Sequence, residues 1–143
     1  MEPTAAVVEV LGGRTVVGLA TNAFELADRM REGLPYAAME STMTALGISR
    51  ERLADIVHLP ARTAARRKLQ QKLTPDESDR LFRVARVLAH ARGTFGQPDK
   101  ASRWLQRANQ ALAGQVPLDL LGTDIGVQLV EDILGRIDHG IYT

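Results

Sequence analysis

The densest group of side chains able to do chemistry is a basic segment in the middle of the chain. From Arg62 to Lys72 the sequence holds five basic residues and no acidic one. Arginine grips guanine edges with paired hydrogen bonds, and lysine or threonine holds phosphate. The segment therefore predicts a DNA-reading helix, although a charge run is also typical of a merely solvated face. The candidate DNA contacts are Arg62, Thr63, Arg66, Arg67 and Lys68.

The residues before this segment predict the element that would position it. Ser49 is suited to cap a short helix that runs to about Val57, and a break at residues 58–60 separates it from the basic helix. Ala54 is small enough for the point where two helices cross, as in a helix-turn-helix. His58 stands at the turn position where such motifs usually have glycine, and Pro60 offers no capping side chain. Histidine tolerates a left-handed backbone better than most residues, though at some cost. As departures from the motif, His58 and Pro60 indicate either an altered turn or a degenerate DNA reader.

The remaining sequence favours an all-α fold. Apolar residues recur at helical spacing after about residue 20, and Asn22, Thr74 and Thr123 are good N-caps. The last helix carries apolar residues that we expect to face inward together: Ile125, Leu129, Val130, Ile133, Leu134 and Ile137. Residues 7–19, two β-branched runs around Gly12-Gly13, predict a small hairpin or a partner-dependent arm. Two glycines and a proline at 93–98 place a boundary between regions 1–93 and 94–143.

Composition narrows the class of protein. The 143 residues contain 45% hydrophobic and 24% charged residues and no cysteine, which suits a folded chain without disulfides or thiol chemistry. Residues 50–92 hold 11 basic and 5 acidic residues, whereas both ends are mildly acidic. His58, His90 and His139 lack ligand-like spacing, so we expect no metal, no cofactor and no catalytic residue. Neither a transmembrane stretch nor a signal peptide is expected, which favours the cytoplasm and no membrane partner.

The C-terminal third has a specific pattern. It reads Trp104-Leu105, Asn109, Leu112, Gly114 and then Pro-Leu-Asp-Leu-Leu at 117–121. With Glu-Gly-Leu-Pro at 32–35 and the helix-turn-helix region, the chain resembles the Xre-type antitoxins that carry the Xre/MbcA/ParS toxin-binding domain. Ala108 and Ala113 depart from the family pattern, which usually has proline and glycine there. The resemblance extends over nearly the whole chain.

The resemblance implies two partners. The C-terminal domain would bind a RES-domain toxin, a NAD-consuming protein similar in fold to ADP-ribosyltransferases, and block its active site. The helix-turn-helix would bind the operator and repress the shared operon. The candidate toxin-binding residues are Leu118, Leu121, Arg136, Asp138, His139, Ile141 and Tyr142. From the residues alone, Ile141 and Tyr142 could equally close the core, and Arg136, Asp138 and His139 could be solvated.

We expect a homodimer, because one small helix-turn-helix reads few base pairs and paired half-sites solve that. The acidic N-terminal part is the candidate dimer surface. An alternative function is a free-standing transcriptional regulator whose C-terminal domain binds another partner or a ligand. An enzyme is the least favoured class, because no acid, base or nucleophile pattern converges in the sequence.

Overall fold

The structure, a computed structural model, describes residues 3–140. Over that range it consists of nine α-helices and two short 3₁₀ turns, with no strand. The helices are α1 Pro3–Val10, α2 Arg14–Val17, α3 Ala23–Glu32, α4 Ala37–Leu46, α5 Arg50–Ile56, α6 Ala61–Gln70, α7 Pro75–Phe95, α8 Pro98–Leu105 and α9 Asp124–Asp138; the 3₁₀ turns are Gln110–Leu112 and Pro117–Leu120. The all-α prediction is confirmed.

The helix starts lie where the capping residues predicted them. The side chains of Asn22, Ser49, Thr74 and Thr123 each accept a hydrogen bond from the backbone N–H three residues on, at 2.9 to 3.2 Å. Each bond satisfies an N–H that the first turn of a helix leaves unpaired. Thr74 and Glu77 form the full reciprocal capping box of α7. These caps fix the starts of α3, α5, α7 and α9.

The predicted hairpin at residues 7–19 is wrong, because the segment forms α1 and α2 joined at Gly12-Gly13. Val7, Val8, Val10 and Leu11 are buried against the rest of the core. α1 packs on α7 and α4, and Ser41 Oγ donates to the carbonyl oxygen of Val10 at 3.0 Å. Burial of these side chains outweighs the weak preference of β-branched residues for strands, since packing dominates helix stability.

The long helix α7 holds the molecule together. It packs against α1 and α3 from the N-terminal half of the chain and against α8 and α9 from the C-terminal half. α7 continues through Gly93 and ends at Phe95, where Gly96 adopts a left-handed conformation (φ 78°). Trp104 of α8 packs against Phe95 in a tilted arrangement, with ring centroids 5.5 Å apart. The tryptophan therefore anchors α8 to the end of α7.

Within residues 3–140, no helix is long and apolar enough to cross a membrane.

Candidate functional site

The helix-turn-helix predicted in the middle of the chain is present as α5 and α6. Leu53, Ala54, Val57 and Leu59 are buried at the crossing of the two helices. His58 takes the left-handed conformation expected at the turn, with φ 54°. Its Nε2 lies 2.9 Å from the carbonyl oxygen of Gly122, which helps to hold a backbone conformation that costs a non-glycine residue energy. Pro60 precedes α6 without a side-chain cap, as the sequence indicated.

Helix α6 presents a basic outer face. Arg62, Arg66 and Lys68 are exposed, Thr63 is half-buried, and Ala64 alone of this helix is buried. No described acidic side chain forms an ion pair with Arg62, Arg66 or Lys68 within 4 Å. Their charges are therefore available to an external anion, which is what contact with phosphate or guanine requires.

Arg67 is engaged inside the molecule. Its Nε donates to Glu77 Oε1 at 2.7 Å, and only 15% of the Arg67 side chain and 9% of the Glu77 side chain are exposed. Burial by itself raises the pKa of Glu77, but hydrogen bonds from Arg67 and Thr74 and the charge of Arg67 outweigh it, so the pKa lies below its ordinary value. This pair attaches α6 to the start of α7. Arg67 thus holds α6 in place, and a direct DNA contact by Arg67 stays a prediction.

The predicted toxin-binding residues fall into four groups. Leu118 and Leu121 are buried in the core of the described chain, where they support the start of α9. Asp138 accepts hydrogen bonds from Thr94 at 2.6 Å and His90 at 2.8 Å, which attaches the end of α9 to α7. Arg136 and His139 are exposed. Ile141 and Tyr142 lie outside the described residues.

The hydrogen bonds at Asp138 also change its acidity. Burial raises the pKa of this carboxyl group, but the hydrogen bonds from Thr94 and His90 and the charges of His90 and His139 lower it by more. The pKa of Asp138 therefore lies below its ordinary value. Arg86 reinforces the same junction, since its Nη2 donates to Glu131 Oε1 at 2.7 Å.

Two side chains that the sequence placed in the core lie on the surface of α9. Ile125 is 69% exposed and Leu129 is 49% exposed, so the prediction that they face inward is wrong. Val130, Ile133 and Leu134 are buried as predicted, and Ile137 is partly buried against the same core. The signal that could have separated the two groups is the helical angle, because Ile125 and Leu129 follow one line along α9 and Val127, Val130 and Leu134 another.

The helix-turn-helix contacts the segment that precedes α9. Arg52 of α5 forms an ion pair with Asp119 of the second 3₁₀ turn. The carbonyl group of Gly122 meets His58, and a Cβ at residue 122 would lie 3.1 Å from His58 Nε2 and 3.2 Å from the Ile56 carbonyl oxygen. Gly122 therefore permits a close approach that a larger residue would crowd. Sequence reasoning missed this junction, since no local pattern reports a contact across 64 residues.

The comparison with known proteins matches both halves of this architecture. Residues 25–86 match the model of the antitoxin Xre-like helix-turn-helix domain, and residues 90–140 match that of the antitoxin Xre/MbcA/ParS C-terminal toxin-binding domain. An "Antitoxin Xre" of Photorhabdus laumondii is 33% identical over 116 residues, which are 80% of this chain and 78% of the relative. The chain belongs to the Xre antitoxin family.

Other relatives of this Xre-family chain carry related names. An "Antitoxin Xre" of Pseudomonas putida is 42% identical over 83 residues, which are 57% of this chain. The match spans 52% of that relative, about half its length. A more distant relative, from a Sphingobium species, is named "Prs ADP-ribosylating antitoxin" and is 24% identical over 123 residues. Among residues 3–140, no group of three or more His, Asp or Glu side chains is placed to hold a metal ion.

Proposed function

We propose that this chain is the antitoxin of a type II toxin–antitoxin system and neutralises a RES-domain, NAD-consuming toxin by binding it and blocking its active site. The observation that carries the proposal is the toxin-binding domain matched at residues 90–140, joined to a helix-turn-helix in one fold. The relative named for ADP-ribosylation supports the class of toxin, because ADP-ribosyl transfer consumes NAD. NAD chemistry belongs to the toxin in this proposal, and the antitoxin itself needs no cofactor.

The second part of the function is repression of its own operon. The exposed cations of α6 would enter the major groove, with Arg62 and Arg66 reading base edges or phosphates and Thr63 and Lys68 holding the backbone. Arg67 would act indirectly, because its ion pair with Glu77 fixes α6 against α7. Operator binding would take place in the cytoplasm, which is the compartment we propose for this chain.

A homodimer would supply the second reading helix. Two recognition helices reach successive major grooves when they stand about 34–36 Å apart. The acidic N-terminal part remains our candidate dimer surface, and two exposed apolar side chains there support it. Phe24 is 85% exposed and Leu19 is 50% exposed, beside the start of α3. Analytical ultracentrifugation of wild type and Phe24→Ser tests this surface, and a dimer that persists in the variant would contradict it.

The experiment that tests the main proposal is co-expression with the product of the adjacent gene, while cellular NAD is followed. The toxin alone should lower NAD, and this chain should restore it and co-purify with the toxin. If NAD never falls, or if the two proteins elute apart, the toxin-binding function is wrong. The helix-turn-helix with its free basic face would then favour a free-standing transcriptional regulator, which binding to the chain's own promoter would establish.

A further inference from the structure

One face of α9 is a continuous stripe of outward side chains. Ile125, Leu129, Asp132, Arg136 and His139 follow one another at intervals of three or four residues, the spacing that places side chains on one line of a helix. All five are exposed. From Ile125 to Arg136 the stripe extends about 17 Å at 1.5 Å per residue. We call these five residues the α9 stripe.

The apolar end of the stripe is the unusual part. Within residues 90–140, Ile125 and Leu129 are the two large hydrophobic side chains that stand exposed. They lie one helical turn apart, directly after Thr123, whose cap fixes the start of the helix. The opposite face of α9 is rigidly packed, since Val127, Val130 and Leu134 are fully buried. An exposed apolar pair on a rigid helix is a feature of interaction surfaces.

The charged end of the stripe is unpaired within the described chain. No described residue forms an ion pair with Asp132 or Arg136, although Arg86 and Glu131 pair one position away on the α7 side of the same helix. The stripe thus has an exposed apolar pair at one end. At the other end it has charged side chains that form no ion pair with a described residue. Arg136 and His139, which the sequence suggested as toxin contacts, lie on the same line as Ile125 and Leu129.

We infer that the α9 stripe is the surface on which the toxin docks. The inference rests on the proposed function and names the contact face of the toxin-binding domain, in which α9 lies entirely. The partner surface it fits is a groove with an apolar floor for Ile125 and Leu129 and an acidic group opposite Arg136, the mode in which an amphipathic helix binds. A second copy of this chain is the competing occupant, and the test below separates the two.

The first measurement compares the toxin affinity of three proteins. They are the wild type, a double variant that carries Ile125→Asp and Leu129→Glu, and the control variant Ala108→Asp. An aspartate at residue 125 falls in the first turn of α9, where the helix dipole favours it, so the double variant should keep its fold. Ala108 is exposed in the same domain but lies off α9, so its variant controls for added negative charge. The double variant should bind the co-expressed toxin about 100-fold more weakly, or about 2.8 kcal/mol at 1.4 kcal/mol per tenfold. The control should bind as wild type does.

The second measurement does not depend on a disruptive change. Because the chain has no cysteine, Leu129→Cys and Ala108→Cys each introduce a single thiol. Toxin should slow alkylation of the thiol at 129 at least tenfold and leave that at 108 unchanged. Equal affinity in the double variant, or a thiol at 129 that stays reactive in the complex, would overturn the α9 stripe while the proposed function stands. A change in oligomeric state with unchanged toxin affinity would assign the stripe to self-association and also overturn it. If wild type binds no toxin at all, both proposals fail together.

Discussion

Replacing Arg62 and Arg66 with alanine should weaken operator binding and reduce its dependence on salt concentration, because both changes follow from lost phosphate contacts. Both side chains are exposed and neither is paired with a described acid, so the fold loses no internal contact. Each phosphate contact contributes about 0.9 to the slope of log K against log salt concentration. The loss of two contacts should therefore reduce the slope by about 1.8 per half-site.

That change in slope is large enough to measure. Over the fourfold rise from about 50 to about 200 mM salt, two contacts account for about a 12-fold loss of affinity per half-site. For a dimer on two half-sites the figure is about 150-fold. The assay is fluorescence anisotropy of labelled promoter DNA, titrated with protein at several salt concentrations. Wild type should lose that much more affinity across the series than the double variant does.

Arg67→Ala provides the contrast. Its side chain is bound to Glu77, so we expect a lower unfolding temperature and, at temperatures where the variant is folded, a salt slope close to that of wild type. The double variant should show the reverse pattern, with unchanged melting and a reduced slope. If the slope falls in Arg67→Ala as it does for two lost contacts, Arg67 meets DNA directly. If the double variant keeps both the wild-type slope and the wild-type affinity, α6 is not the helix that meets DNA.

Three further predictions concern stability. Because the pKa of Glu77 in the folded chain lies below the ordinary 4.5, its ionised form stabilises the fold above pH 4.5, and this contribution is lost as the pH falls through the folded pKa. Urea unfolding across the acid range should show that decline, and Glu77→Gln should flatten it. Gly126→Ala should cost about 3 kcal/mol or more, because its Cβ would lie 1.8 Å from the carbonyl oxygen of Leu120. Gly135→Ala, on the same helix with nothing within 4 Å, should instead stabilise by up to about 1 kcal/mol, and equal effects of the two changes in thermal unfolding would contradict the close approach. His58→Gly should be more stable than His58→Ala by about 1 kcal/mol, since both lose the hydrogen bond but only glycine accepts φ 54° without strain; the same midpoint for both would refute this.

The features that could be predicted from the sequence are those that depend on interactions between residues close together in the chain. A capping side chain meets an N–H three residues away, so Asn22, Ser49, Thr74 and Thr123 marked helix starts without knowledge of the fold. The helix-turn-helix was predictable for the same reason, because Ala54 and the left-handed His58 are local requirements of the motif.

What could not be predicted depends on contacts distant in sequence. Residues 7–19 have strand-like side chains, but the face of α7 buries them as helices. Arg67 and Arg66 are neighbours on a basic helix, and only the position of Glu77 gives them different surroundings. Ile125 and Val130 are equally apolar; the helical angle places them on different lines of α9, and the packing of α9 on α7 buries the line of Val130.

The two halves of the family architecture are one packed body in this chain. Helix α7 begins inside the helix-turn-helix match and ends inside the toxin-binding match, and its buried face serves both. The turn of the DNA-reading motif rests against Gly122, one residue before the cap of α9. Arg52 and His58 contact Asp119 and Gly122, which precede α9, so the turn of the helix-turn-helix and the start of α9 are held together. The exposed face of α6 and the α9 stripe therefore belong to one structural unit.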